Sequence, residues 1–130
     1  MAGIFSKIAA GEIPSYKIAE NDKFFAFLDI NPMAKGHTLV IPKQEIDYIF
    51  DLDNQLLADM TLFAKQVALA IQKAIPCRRV GVMVIGMEVP HAHIHLIPIN
   101  KESDMLLSNP RLKLTEYEFK EISKAINEQL

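Results

Sequence analysis

The chain has a single cysteine, Cys77, and no stretch approaching 20 apolar residues. One cysteine cannot form a disulfide within the chain, so the fold must be stabilised by a packed core. A helix that spans a membrane needs about 20 consecutive apolar residues, so a membrane span is not expected. Residues 1–20 also lack the charged and then apolar pattern of a secretion signal. We therefore expect a cytoplasmic protein.

Runs of positive charge are also missing. The longest is the pair Arg78-Arg79, and the net charge is −2. Proteins that bind nucleic acid present clusters of Lys and Arg to the phosphates, so this class of partner is not expected. Of the 130 residues, 50% are hydrophobic and 23% are charged, and no repeat or linker divides the chain. These values suit one domain, residues 1–130, with its own core.

Hydrophobic periodicity predicts the order α-β-β-β-α-β-β-α. The predicted helices are residues 4–10, 54–75 and 116–129, and the predicted strands are 16–19, 24–28, 37–41, 80–85 and 91–97. Asp53 is a suitable N-cap for the long helix, and Thr115 with Glu118 forms a capping box for the last one. Residues 100–114 are predicted to be a loop. This order is typical of an α+β fold with a five-stranded, mostly antiparallel sheet.

All four histidines lie in two of the predicted strands. His91, His93 and His95 alternate with apolar residues, and His37 opens the apolar segment 38–41. Side chains alternate faces along a strand, so the three imidazoles of the run share one face. The ordinary imidazole pKa of about 6.5 lets the ring act as base, acid or nucleophile near neutrality. We therefore interpret this face as a catalytic or ligand-binding surface.

Three interpretations of the histidines are open. They could fill a polar sheet face, or they could bind a metal. Residues two apart on a strand lie about 6.8 Å apart, so one zinc ion reaches two neighbours of the run plus His37 or a carboxylate more easily than all three. The third interpretation is a covalent nucleophile. A neutral imidazole can attack phosphorus and hold a nucleotidyl group, provided that a hydrogen bond fixes its tautomer and that donors surround the phosphate.

The run His91–Ile97 resembles the signature His-φ-His-φ-His-φ-φ (φ, hydrophobic) of the histidine-triad (HIT) superfamily. Three further segments are similar to that superfamily: residues 4–14, 25–32 and 36–43. The branch that the chain resembles most is the Hint-like nucleoside phosphoramidases. The resemblance implies a HIT-like fold, a homodimer joined through the long helix and a sheet edge, and no cofactor or catalytic metal.

The resemblance also implies roles for the histidines. His93 matches the nucleophile, and His95 matches the histidine that contacts the phosphate and leaving group. His91 matches the residue whose backbone carbonyl orients the nucleophile, and His37 matches a remote supporting histidine.

Further residues match the nucleotide site. Asp29 matches a carboxylate that binds the ribose hydroxyls, although an Asx turn is an alternative role for it. The matching apolar slot for the base, whose members could equally be core residues, comprises Phe5, Ile8, Phe27, Leu28 and Ile30.

Two segments depart from the family pattern. Many members bind structural zinc through Cys-x-x-Cys near the N-terminus, with histidines further on. Here Gly3 and Ser6 stand at the cysteine positions and are poor zinc ligands, so no zinc is expected there. The turn before the triad is shorter than usual, and Met87 and Glu88 replace an amide and a hydroxyl that touch the phosphate. A carboxylate at Glu88 is unfavourable beside a phosphate unless it points away or is protonated.

The sequence thus predicts hydrolysis of purine nucleoside 5′-phosphoramidates, or of related phosphoanhydrides, through a nucleotidyl group on His93. The alternatives are a nucleotide-binding protein with weak or lost turnover and a nucleotidyltransferase that shares the intermediate. In the expected homodimer, Met60, Phe63 and Val67 of the long helix are candidates for the interface, and they could equally be core.

Overall fold

Residues 2–130 are described in a computed structural model as a five-stranded antiparallel sheet with three α-helices. The elements, in chain order, are α1 (Ile4–Ala9), β1 (Lys17–Glu20), β2 (Phe24–Leu28), β3 (Thr38–Pro42), α2 (Asn54–Ala74), β4 (Arg79–Met83), β5 (Ile94–Ile99) and α3 (Glu116–Asn127). The strand order across the sheet is β1-β2-β3-β5-β4. This confirms the predicted α+β architecture and the predicted element order.

Local signals in the sequence start and stop the elements. The Asp53 carboxylate accepts from Leu56 N at 2.8 Å and caps α2. Thr115 Oγ1 accepts from Glu118 N, and the Glu118 carboxylate accepts from Thr115 N, both at 3.1 Å. Gly11 follows α1 with a φ of 81°, a left-handed conformation that favours glycine. The two predicted caps are therefore confirmed.

The sheet has two apolar faces because side chains alternate along its strands. On one face, Phe24, Ala26 and Leu28 of β2 pack in the main core beneath α2 and α3. On the opposite face, Phe25 and Phe27 pack with residues of α1 and β3 in a smaller cluster. The second face is the one that carries the histidines.

The long helix α2 contributes to the main core through Met60, Phe63 and Val67, which are all buried within the chain itself. They are therefore core residues, and their prediction as interface candidates is wrong. Their spacing of three and four residues follows the face that α2 turns to the sheet. The large apolar side chains of α2 that are exposed are Leu62 and Leu69.

The segment between β5 and α3 contains a short 3₁₀ helix, Glu102–Met105, within the region predicted to be loop. Across the described residues, no helix is both long and apolar enough to cross a membrane.

Candidate active site

His93 lies at the centre of the histidine face, just before β5. Its Nδ1 atom lies 2.7 Å from the backbone oxygen of His91. A carbonyl oxygen only accepts hydrogen bonds, so Nδ1 of His93 must carry the proton and donate it. In the neutral ring, Nε2 then keeps its lone pair. The imidazole is therefore held in the tautomer that a nucleophile requires.

His91 is buried and its ring faces β3 rather than its neighbours in the run. Its Nε2 donates to the backbone oxygen of Pro42 at 2.7 Å. Burial lowers the pKa of His91, while this hydrogen bond and the Glu45 carboxylate raise it. The other ring nitrogen, Nδ1, is buried without a hydrogen-bond partner among the described residues. His91 thus braces the backbone that carries the acceptor for His93.

His37 and His95 form a second chain of hydrogen bonds. The backbone N–H of Met33 donates to His37 Nδ1 at 3.0 Å, and His37 Nε2 lies 2.9 Å from His95 Nδ1. Because Nδ1 of His37 is an acceptor, its proton is on Nε2 and is donated to His95. The proton of neutral His95 is then on its Nε2. The chain therefore presents an N–H donor beside the lone pair of His93, whose ring centroid is 4.9 Å away.

Both rings in this second chain are neutral near pH 7. Burial, followed by the charges of His95, Arg111 and His93, lowers the pKa of His37 to about 3. Burial, with the charges of His93 and Arg111, lowers the pKa of His95 to about 4. The tautomers set by Met33 therefore persist across the physiological pH range.

Asp29 adjoins this chain at the end of β2. Its Oδ1 accepts from Asn31 N at 2.8 Å, and its Oδ2 lies 3.6 Å from His37 Nε2. Burial raises the pKa of Asp29, although the Asn31 hydrogen bond and the positive charge of Arg111 lower it. The Asx-turn role considered for Asp29 is present, and Oδ2 has no hydrogen-bond donor among the described residues.

Asp29, His37 and His95 each place one ligand atom within 4.8 Å of the others, close enough for a metal ion. A metal would need a lone pair on Nε2 of His37, whereas the Met33 N–H fixes the proton on that atom. The observed geometry therefore favours a hydrogen-bond chain over a metal site. The absence of a metal remains a prediction.

The residues predicted to surround the base divide between the two faces of the sheet. Phe5, Ile8 and Phe27 belong to the cluster on the histidine face, and the Phe5 ring meets His93 edge-on at a centroid distance of 5.2 Å. Ile30 is 67% exposed beside Asp29. Leu28 is only 2% exposed and packs in the main core on the opposite face, so its prediction as a base contact is wrong. Its position one residue from Phe27 makes that outcome a consequence of strand alternation.

The shortened turn before the triad brings Glu88 into the electrostatic surroundings of the site. Glu88 is exposed, and its negative charge contributes to raising the pKa of Asp29. Val89 holds this turn in place. Its side chain packs against the smaller apolar cluster that contains Phe5 and Phe27, and its backbone oxygen accepts from His91 N at 2.8 Å.

Two residues of the site were not found from the sequence. The Glu45 carboxylate accepts from Gly3 N at 2.6 Å and from Ser6 Oγ at 2.7 Å, so a carboxylate joins the two positions at which no zinc was expected. Arg111 lies close enough to affect the pKa of Asp29, His37 and His95. Both are exposed charged residues in irregular segments, which have no periodicity to mark them.

A family model for the HIT domain matches residues 10–102. The chain belongs to the HIT family. It is 34% identical over 136 residues to the adenosine 5′-monophosphoramidase of Schizosaccharomyces pombe, covering 100% of this chain and 99% of the relative. It is 39% identical over 111 residues to the corresponding enzyme of Saccharomyces cerevisiae, covering 82% of this chain and 68% of that one.

The fold is also that of known HIT structures. A crystal structure of a HIT-like protein from Bartonella henselae, described as involved in cell-cycle regulation, superimposes with a TM-score of 0.86 at 32% identity. The alignment covers 98% of this chain and 96% of that one. The predicted HIT fold is therefore confirmed over nearly the whole chain.

Proposed function

We propose that this HIT protein hydrolyses purine nucleoside 5′-phosphoramidates, or related phosphoanhydrides, through a nucleotidyl group carried on His93. The observation that carries the proposal is the hydrogen bond from His93 Nδ1 to the oxygen of His91, which leaves the Nε2 lone pair free to attack phosphorus. The phosphoramidase names of the two yeast relatives support the substrate class.

In the first half-reaction, Nε2 of His93 forms a bond to the α-phosphorus and the P–N bond to the amine breaks. The amine leaves with the electron pair of that bond and takes one proton from water. In the second half-reaction, a water oxygen bonds to phosphorus, the P–Nε2 bond breaks and its electron pair returns to His93. One proton is released, so the products are the nucleoside monophosphate and the amine.

The neighbouring residues are assigned supporting roles in this proposal. The N–H at Nε2 of His95 donates to a phosphoryl oxygen, and His37 holds that tautomer. Asp29 accepts from the ribose hydroxyls. Phe5, Ile8, Phe27 and Ile30 remain the proposed surroundings of the base. No cofactor enters either half-reaction.

The first test is hydrolysis of adenosine 5′-phosphoramidate by the wild type and by His93→Ala. We expect kcat/KM to fall by at least about 10³-fold in His93→Ala, because loss of a covalent nucleophile removes the two-step route. Mass spectrometry of quenched wild type should detect a nucleotidyl adduct that His93→Ala lacks. The exposed Tyr117 on α3 gives a control variant, Tyr117→Ala, that should keep full activity.

Each other outcome rejects part of the proposal. Activity retained by His93→Ala would show that His93 is not the nucleophile. A wild type that binds AMP but has no turnover would instead be a nucleotide-binding protein, and the altered turn at Glu88 would be the first place to look for the defect. Transfer of the nucleotidyl group to added sugar phosphates, in preference to water, would make the chain a transferase.

We also propose that residues 1–130 form one HIT domain and that two copies form a dimer through β4. The C-terminal helix α3 supports the first point, since its Phe119, Ile122 and Ile126 pack in the main core. The dimer is supported by the position of β4 at the edge of the sheet and by the exposure of Val82, Val84 and Ile85 in or just after it.

A further inference from the structure

Arg111 lies in an irregular segment, residues 106–115, that begins with a turn and joins the 3₁₀ helix to α3. The backbone N–H of the next residue, Leu112, donates to the oxygen of Pro32 at 2.9 Å. An ion pair of 3.6 Å between Lys35 and Glu118 joins the same loop to the first turn of α3, directly after this segment. The segment that carries Arg111 is therefore fixed against residues 32–35.

Residues 32–35 belong to the loop that builds the second histidine chain. This loop follows Asp29 and contains Met33, whose N–H holds His37 in position. Because Leu112 is bonded to Pro32, the backbone of Arg111 lies beside the loop that runs from Asp29 to His37. The effect of its charge on the pKa of all three groups is consistent with that placement.

The charges around the site favour a cation near the proposed phosphate position. Glu88 and Asp29 are both carboxylates near the site, and the neutral rings of His37 and His95 add no positive charge. The short turn provides Met87 and Glu88 in place of an amide and a hydroxyl. Without a cation, the N–H of His95 would be the one donor proposed for the phosphate, and the formal charges of Glu88 and Asp29 would repel the anion.

Arg111 is suited to balance those charges. It is exposed, and the ion pairs found among residues 2–130 do not include it. A guanidinium presents paired N–H donors that match two phosphate oxygens. A side chain that is fixed near the site by its backbone and has no carboxylate partner is available for a ligand.

We propose that Arg111 is a catalytic residue that binds the α-phosphate of the nucleotide and offsets the negative charge of Glu88. This inference rests on the proposed nucleotide site and adds a phosphate contact from outside residues 10–102, the part matched by the family model.

The test compares binding of AMP and adenosine, which differ by the phosphate alone, using calorimetry. In Arg111→Ala the affinity for AMP should fall by about tenfold or more, while the affinity for adenosine stays the same. Lys113→Ala is the matched control, since Lys113 is an exposed cation two residues further along the same segment and should leave both affinities unchanged. Arg111→Lys should keep part of the AMP affinity.

A second variant tests the charge balance. Glu88→Gln, combined with Arg111→Ala, should restore part of the lost AMP affinity because it removes the carboxylate that Arg111 offsets. For the same variants, kcat/KM for the phosphoramidate should fall and recover in the same order as the AMP affinity.

The inference is overturned if Arg111→Ala binds AMP as the wild type does, if Lys113→Ala loses as much, or if adenosine affinity falls equally. A wild type that binds neither AMP nor adenosine would overturn the proposed nucleotide site and this inference together. A wild type that binds AMP and turns over substrate, with no effect of Arg111→Ala, would reject the inference alone.

Discussion

The proton positions on the four histidines are set mainly by backbone groups. The N–H of Met33 and the oxygens of Pro42 and His91 each bond one imidazole nitrogen. Because a backbone N–H only donates and a carbonyl only accepts, each contact allows one tautomer. The lone pair on His93 and the N–H on His95 follow from these contacts. No buried carboxylate is required to orient the nucleophile.

Substitutions at two nearby apolar residues, Leu28 and Ile30, test which of them belongs to the main core. Leu28→Ala should lower the free energy of unfolding by about 2–5 kcal/mol, because it removes a buried side chain from the main core. Ile30→Ala, at a position that is 67% exposed, should change it by less than about 0.5 kcal/mol. Urea denaturation measures both. Equal effects of the two substitutions would contradict the assignment of Leu28 to the core.

At the residue scale, the spacing of the histidine run indicated a site, whereas Asp29 was assigned from the resemblance to the HIT superfamily, and its role remains a proposal. We did not predict that Leu28 faces away from the histidines, although alternation with Phe27 contains that information. Glu45 and Arg111 could not be found in this way, since their positions depend on contacts with Gly3, Ser6 and Pro32 that are distant in the chain.

At the scale of elements, β5 begins at Ile94 rather than at His91. The backbone N–H of Ala92 donates to the oxygen of Ile46 at 2.7 Å, instead of pairing with a neighbouring strand. Because of this contact, the strand pairing of β5 does not extend back to His91 and His93. The pattern of the run predicted the shared face of His93 and His95 but could not reveal a competing acceptor 46 residues earlier in the chain.

The short helix α1 is held by hydrogen bonds to Glu45, in the segment between β3 and α2. The Glu45 carboxylate accepts from Gly3 N and Ser6 Oγ, and both hydrogen bonds lower its pKa, with Ser6 the larger cause. A lowered carboxyl pKa means that the contact stabilises the folded state above the ordinary Glu pKa of about 4.5 and is lost as the pH falls through the lower folded value.

Removing that carboxylate should loosen α1 without unfolding the chain. In Glu45→Ala, amide hydrogen exchange within Ile4–Ala9 should accelerate several-fold, because α1 opens locally more often. The amides of α2 should keep their protection. Gln44→Ala is the matched control at the neighbouring exposed position. The assignment would be contradicted by unchanged exchange in α1, or by equal acceleration in both variants.

At the scale of the whole molecule, β4 forms one of the two edges of the sheet and exposes apolar side chains there. Val82 on β4 is 65% exposed, and its strand pairs with β5 on one side only. Val82→Lys should convert the proposed dimer to monomer, because a charge at a strand edge opposes further strand pairing. Sedimentation velocity gives the oligomeric state.

The control for this variant is Tyr117→Lys, which places the same charge at an exposed aromatic position on α3. It should leave the dimer intact. A wild type that sediments as a monomer, or a dimer that persists in Val82→Lys, would reject β4 as the interface.

The order of the elements and the two-faced sheet were predictable because hydrophobic periodicity and capping residues are local signals. The surface against which the α2 side chains pack was not predictable, since Met60, Phe63 and Val67 suit a core and an interface equally well. Only the position of α2 over the sheet assigns them to the core.

The Met33 amide, which holds the second histidine chain, has a consequence for how such sequences diverge. A main-chain donor is retained whatever side chain the residue carries, so the hydrogen bond to His37 itself is compatible with nineteen amino acids at position 33. Proline is the exception, because it alone lacks the N–H. Among related sequences, we therefore expect side chains of varied chemistry at this position and no proline.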